Sequence, residues 1–175
     1  MPRGRLSGWF ARLAAIAPDR PWHTLAGVLV IERRIRDAIV GHARRDHPDE
    51  ACGVVAGPRG SDRPVRLVAM RNAAATPYTR YEFSSADLFG LYRDLEERDE
   101  EPVVIYHSHT HTQAYPSPTD LALAAEPAAH YVVVSTRQHG NDEGPVDFRS
   151  FRIVDGVIGE EEISVVSSYP DGSSA

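Results

Sequence analysis

His107-Ser108-His109-Thr110-His111-Thr112-Gln113-Ala114-Tyr115-Pro116-Ser117-Pro118-Thr119-Asp120 follows directly on Pro102-Val103-Val104-Ile105-Tyr106. The second of these runs is apolar and β-branched, which predicts a strand. Along a strand residues i and i+2 share a face, so His107 and His109 aim their imidazoles the same way. Pro116 and Pro118 then break the chain, with Ser117 where a helix N-cap belongs and Pro118 at the first helical position. Asp120 therefore falls in the first helical turn, close to the strand end the chain has just left. Imidazole nitrogen and carboxylate oxygen are both zinc ligands. Three protein ligands with a fourth position open form the arrangement of a hydrolytic zinc site.

Other readings of these residues stand beside that one. Ser117-x-x-Asp120 is also an ordinary capping box, which stabilises a helix without chemistry and is compatible with Asp120 binding metal. His111 shares the parity of His107 and His109 and completes a three-histidine set if parity holds that far. A strand that ends by Thr110 leaves it out.

The 175 residues suit a single domain with a sizeable core. Apolar content of 42% and charged content of 25% are those of a soluble globular protein. A net charge of -6 and a pI near 5.7 argue against a nucleic-acid-binding surface. The single cysteine excludes an internal disulfide and makes a reducing cytoplasm the natural compartment. No apolar run reaches the ~20 residues of a membrane-spanning helix, so no membrane partner is expected.

Residues 1–26 differ from the rest. Arg3, Arg5, Arg12 and Arg20 stand against Asp19 alone, and Trp9, Phe10, Leu13 and Ile16 fall on one helical face. Ala14-Ala15-Ile16-Ala17 would serve as a signal cleavage site, but Arg12 interrupts the apolar region before it. The segment reads as a basic, loosely ordered N-terminal extension. A domain then spans residues 27–166, and residues 167–175 read as a flexible polar tail. Within the domain, strands are expected at residues 28–31, 50–57, 66–70, 131–135, 148–154 and 157–166. Helices are expected at residues 32–45, 86–98 and 118–125. The mixture predicts an α/β fold whose sheet is partly antiparallel and flanked by helices.

A hydrolytic zinc site also needs a base, and Glu50 stands before the apolar strand that begins Ala51-Cys52-Gly53. Glu50 is otherwise an ordinary surface carboxylate. Cys52 reads as a small buried strand residue rather than a nucleophile. Tyr106 and Tyr115 flank the histidines, either shaping a groove or, for Tyr106, filling the core. A zinc deaminase is excluded by the absence of a Pro-Cys-x-x-Cys segment.

An upstream Glu, then His-Ser-His, seven residues, then Ser-x-x-Asp resembles the signature of the JAMM/MPN+ metalloprotease family, here Glu50, His107, His109, Ser117 and Asp120. The resemblance covers residues 27–166 and implies the MPN (JAMM) fold with a mostly antiparallel sheet. It further implies Zn2+ on His107, His109 and Asp120, Glu50 as base, and Ser117 as an oxyanion donor. The runs at residues 42–53 and 102–120 resemble the branch of the family that releases cysteine from the C-terminus of a ubiquitin-like sulfur carrier protein. A partner with a Gly-rich C-terminal tail is thereby implied, with cysteine biosynthesis as the setting. His111 departs from that branch. Two rivals remain: an isopeptidase or desampylase acting on other ubiquitin-like conjugates, and a catalytically inactive scaffold of the same fold.

Overall fold

The computed structural model describes residues 27–142 and 144–170. The expected basic extension, residues 1–26, lies outside the described residues. Among the described residues seven strands form one sheet in the order β1-β7-β6-β5-β4-β2-β3. They are β1 (Val28–Glu32), β2 (Cys52–Pro58), β3 (Arg66–Met70), β4 (Glu100–His109), β5 (His130–Ser135), β6 (Asp147–Val154) and β7 (Val157–Val166). β1 with β7 and β4 with β5 are parallel, and the other four neighbours are antiparallel. The expected mixed, mostly antiparallel sheet with flanking helices is the one that forms.

Three helices flank the sheet among the described residues: α1 (Arg33–Asp46), α2 (Ser85–Glu97) and α3 (Pro118–Leu123). α1 spaces Ile35, Ile39 and Ala43 four apart, and this stripe buries against Leu29, Ile31, Val104, Tyr106, Val132 and Val134. It stops at Asp46, ahead of Pro48, because the residue before a proline is pushed out of helical geometry. α2 begins at a capping serine, where Ser84 Oγ accepts the Asp87 N–H at 3.0 Å. Its Leu91 and Leu95 pack on Val54, Ala56 and Met70, on the sheet face opposite α1. Burial of each leucine contributes about 1.5–3 kcal/mol. A third cluster, with Ala114, Tyr131, Val133, Phe151 and Ile153, lies beneath the segment joining β4 to α3.

The sheet coils around α1 until its two edges approach. The Tyr169 hydroxyl donates to the carbonyl of Val30 at 3.1 Å or of Pro64 at 3.3 Å. Arg34 Nη1, in the first turn of α1, donates to the Val65 carbonyl at 3.2 Å and ties the helix to the start of β3. Part of the polar end of the chain, expected to fray, is thus held down at Tyr169. Residues 171–175 lie outside the described residues.

Candidate metal centre

β4 extends beyond its apolar run at both ends. Its pairing with β5 continues through His107↔Val133, Ser108↔Val134 and His109↔Ser135, so both histidines lie inside a strand. They share the face opposite α1, as strand parity requires. Their Nε2 atoms lie 3.1 Å apart. Asp120 Oδ2 is 3.3 Å from the first and 3.5 Å from the second. All three side chains are buried.

This donor set fits a divalent metal. His109 Nδ1 donates to the Gln113 carbonyl at 2.9 Å, with Thr112 Oγ1 at 3.0 Å. That bond keeps the proton on Nδ1 and turns the Nε2 lone pair toward His107 and Asp120. Two nitrogens and a carboxylate oxygen aimed at one point repel one another unless a cation or a proton lies among them. Burial lowers the His107 pKa, which favours the neutral ligand form. Burial would lower that of His109 too, but Asp120 and the Gln113 carbonyl outweigh it and raise it. For Asp120 burial works upward, and bonds from His107, His109 and the Ser117 N–H overcome it, holding the carboxyl below its usual range.

The capping box and the metal geometry prove to be one arrangement. Asp120 Oδ2 accepts the Ser117 N–H at 2.6 Å, and Ser117 Oγ accepts the Asp120 N–H at 3.2 Å. The cap thereby fixes the carboxylate that faces both histidines, while Pro118 starts the helix.

Strand pairing brings Glu50 to the same place. Cys52 sits opposite His107, and one residue earlier Ala51 is tied to Ser108 in both directions. The Ala51 N–H donates to Ser108 Oγ at 2.8 Å, and the Ser108 N–H to the Ala51 carbonyl at 2.8 Å. The Glu50 side chain is buried and lines one cleft with His109, Ser117 and Asp120. Burial pushes its carboxyl up to about 7, with His109 pulling down and Asp120 pushing up. A pKa near working pH is what a proton-relaying base requires.

The remaining walls of the cleft are Tyr78, Thr79, Arg80 and Tyr81 on one side and His111, Thr112 and Thr119 on the other. Tyr81 stacks on His107 with ring centres 4.5 Å apart. Asn72 organises the first wall. Its Nδ2 donates its two hydrogens to the carbonyls of Glu50 and Arg80, both at 2.9 Å, and the Pro77 carbonyl at 3.3 Å shares one of them. Its Oδ1 accepts the N–H of Ala74 (3.0 Å) and Glu82 (3.2 Å). The chain pattern gives neither Asn72 nor Tyr81 its role, because the contacts that tie them to Glu50 and His107 are more than twenty residues away.

His111 lines the cleft yet lies outside the converging trio, since β4 ends at His109. Its Nδ1 bonds Thr110 Oγ1 at 2.7 Å instead. Cys52 is fully buried, and burial pushes its thiol up to about 12, which leaves it inert as a nucleophile. Tyr106 is core, its hydroxyl 2.7 Å from His42 Nδ1. Tyr115 lies edge-on to Phe151, with the Arg149 guanidinium 5.6 Å from its ring centre.

Residues 32–154 match the family profile described as prokaryotic homologs of the JAB domain. The CysO-cysteine peptidase of Mycobacterium tuberculosis is 56% identical over 142 residues, covering 81% of this chain and 94% of that protein. The desampylase of Haloferax volcanii is 33% identical over 104 residues, covering 57% and 75% respectively. Among solved structures, a Desulfitobacterium hafniense protein superposes with a TM-score of 0.65 at 24% identity, covering 81% of this chain and 94% of its own. A Salinibacter ruber protein does so with a TM-score of 0.58 at 26% identity, covering 85% and 94%. No described helix is long and apolar enough to cross a membrane.

Proposed function

The chain belongs to the JAB/MPN family of peptidases, and on that footing we propose that it is a zinc-dependent hydrolase that releases cysteine from the C-terminus of a ubiquitin-like sulfur carrier protein. The observation that carries this reading is the convergence of His107, His109 and Asp120 beside a buried Glu50 in a single cleft. We assign the catalytic domain to residues 27–166 and no chemistry to residues 1–26. Cysteine biosynthesis in the cytoplasm is the setting we infer, in keeping with a lone buried thiol.

His107, His109 and Asp120 would hold the metal. Zinc bound there supplies Lewis acidity that brings the pKa of a water toward neutral. Glu50 takes the proton of the attacking water and returns it to the departing amine. Ser117 Oγ accepts the Asp120 N–H, so its own hydrogen is available to the oxyanion of the tetrahedral intermediate. Loss of one such donor costs about 2.7–4 kcal/mol in comparable enzymes. The carrier's glycine tail enters extended between the wall built on Asn72 and the segment after His109. Having no side chains, it passes where a bulkier tail would clash.

The rival isopeptidase reading draws on the desampylase relative and uses the same centre with a different leaving group. The scaffold reading has no support from the site, where each ligand the chemistry needs is present. Intact mass of a carrier–cysteine adduct incubated with the zinc-loaded protein decides the substrate. Loss of one cysteine residue is expected. An unchanged mass, with cleavage of a lysine-linked conjugate instead, would transfer the assignment to the isopeptidase.

A further inference from the structure

We propose that Arg80 recognises the α-carboxylate of the departing residue and so makes the cleft selective for release of a single C-terminal amino acid. The inference rests on the function proposed above and adds how the leaving group is chosen. A C-terminal cysteine carries its carboxylate carbon about 2.5 Å from the scissile nitrogen, as standard N–Cα and Cα–C bonds require. That anion has to settle in a cleft already lined by Glu50 and Asp120. Like charges so close repel, and the repulsion grows as water is excluded. The metal proposed above offsets Glu50 and Asp120 and leaves no surplus for a third carboxylate, so a further cation favours this substrate.

Arg80 is the lysine or arginine that lines this cleft among the described residues. Its backbone is fixed, because the Asn72 amide that grips the Glu50 carbonyl at 2.9 Å also grips that of Arg80 at 2.9 Å. The candidate base and the candidate cation thus hang from one side chain. The guanidinium itself is only lightly engaged, with one 3.3 Å contact to Glu82 and a side chain 48% exposed. Other arginines are committed to acidic clamps: Arg66 between Asp94 and Glu100, Arg149 on Glu160, Arg152 on Glu161. A guanidinium is a planar fork that matches a carboxylate through two parallel hydrogen bonds. An isopeptide-linked lysine leaves through its side-chain amine and brings no free carboxylate to this place. Arg80 therefore discriminates a terminal residue from an isopeptide.

The test compares two carriers, one ending in cysteine with a free carboxylate and one ending in cysteine carboxamide, on the zinc-loaded full chain. The wild-type protein should prefer the carboxylate by about tenfold or more in kcat/KM, the scale of a charge-assisted pair. Arg80→Gln should lose that factor on the carboxylate substrate and erase the ratio, and Arg80→Lys should restore part of it. A purely structural role for Arg80 would lower both substrates alike and leave the ratio intact, which would overturn the inference. Wild-type rates equal on both carriers would overturn it while leaving the proposed function standing. Failure to cleave either carrier would overturn the two together.

Discussion

Replacing Asn72 by alanine separates the loop that walls the cleft from the segment that carries Glu50 into β2. The three shortest of its hydrogen bonds run to the Glu50 carbonyl at 2.9 Å, the Arg80 carbonyl at 2.9 Å and the Ala74 N–H at 3.0 Å. At about 1 kcal/mol net for each, this side chain holds the loop by about 3 kcal/mol. That energy orders a partly exposed segment rather than the core, so the cost should fall on positioning. If half to all of it is lost in the transition state, kcat/KM drops by about 10- to 100-fold. The melting temperature should fall by up to about 6–12 °C, at about 2–4 °C per kcal/mol for a domain of this size. Zinc content should not change, because Asn72 touches none of His107, His109 and Asp120. Asn72→Asp keeps the acceptor for Ala74 and Glu82 but turns a carboxylate on three carbonyls, and should be at least as damaging. The assay is kcat/KM on the carrier–cysteine adduct, with metal analysis and a thermal melt on the same samples. Wild-type kcat/KM in Asn72→Ala would refute the idea that this hub positions the cleft.

Other outcomes follow from the same geometry. Metal analysis of His107→Ala should show most of the zinc gone, whereas His111→Ala should keep about one ion per chain; loss from the second variant would restore His111 as a ligand. Glu161 is buried and binds His130 Nδ1 at 2.7 Å, Arg152 Nε at 2.8 Å and Ser150 Oγ at 2.9 Å. Glu161→Gln should therefore cost about 3 kcal/mol in denaturant unfolding, since it breaks a buried ion pair with Arg152 and the bonds to His130 and Ser150. Burial alone would raise the Glu161 pKa, but His130 and Arg152 hold it below the ordinary 4.5. Its contribution is whole above that value and is lost as pH falls through the depressed one, so Glu161→Gln should flatten the acid side of the stability curve. A carrier whose last glycine is changed to valine should turn over much more slowly with zinc content unaffected. Equal rates on both carriers would mean a wide groove and a general peptidase.

Much of the centre was legible because its determinants are local. His107 and His109 obey the two-residue strand period, and Ser117, Pro118 and Asp120 obey helix-start rules, so five residues of one stretch predict their own convergence. β4 carries both histidines and ends at His109, because β5 pairs with it as far as Ser135. One feature of the fold changes what the pattern alone suggests. The segment from Ser167 to Tyr169 reads as polar and loose, yet Tyr169 closes the two sheet edges. Glu50 could be placed only by resemblance, since nothing local distinguishes it from an exposed carboxylate. Its burial arises from the pairing of Cys52 with His107, fifty-five positions away. The segment from Asn72 to Phe83 could be expected as a groove wall, but the individual roles of Asn72, Tyr81 and Arg80 were illegible for the same reason. Each matters through a tertiary contact, with the Glu50 carbonyl, the His107 ring and the shared cleft respectively, that no periodicity encodes.

The division of labour between ligands and base is tested most directly by Glu50→Gln. This change keeps the side chain's shape and removes its ability to take a proton. About one zinc per chain is expected in the variant, with turnover of the carrier–cysteine adduct lower by about 100-fold or more. Near-normal turnover with zinc bound would contradict that division.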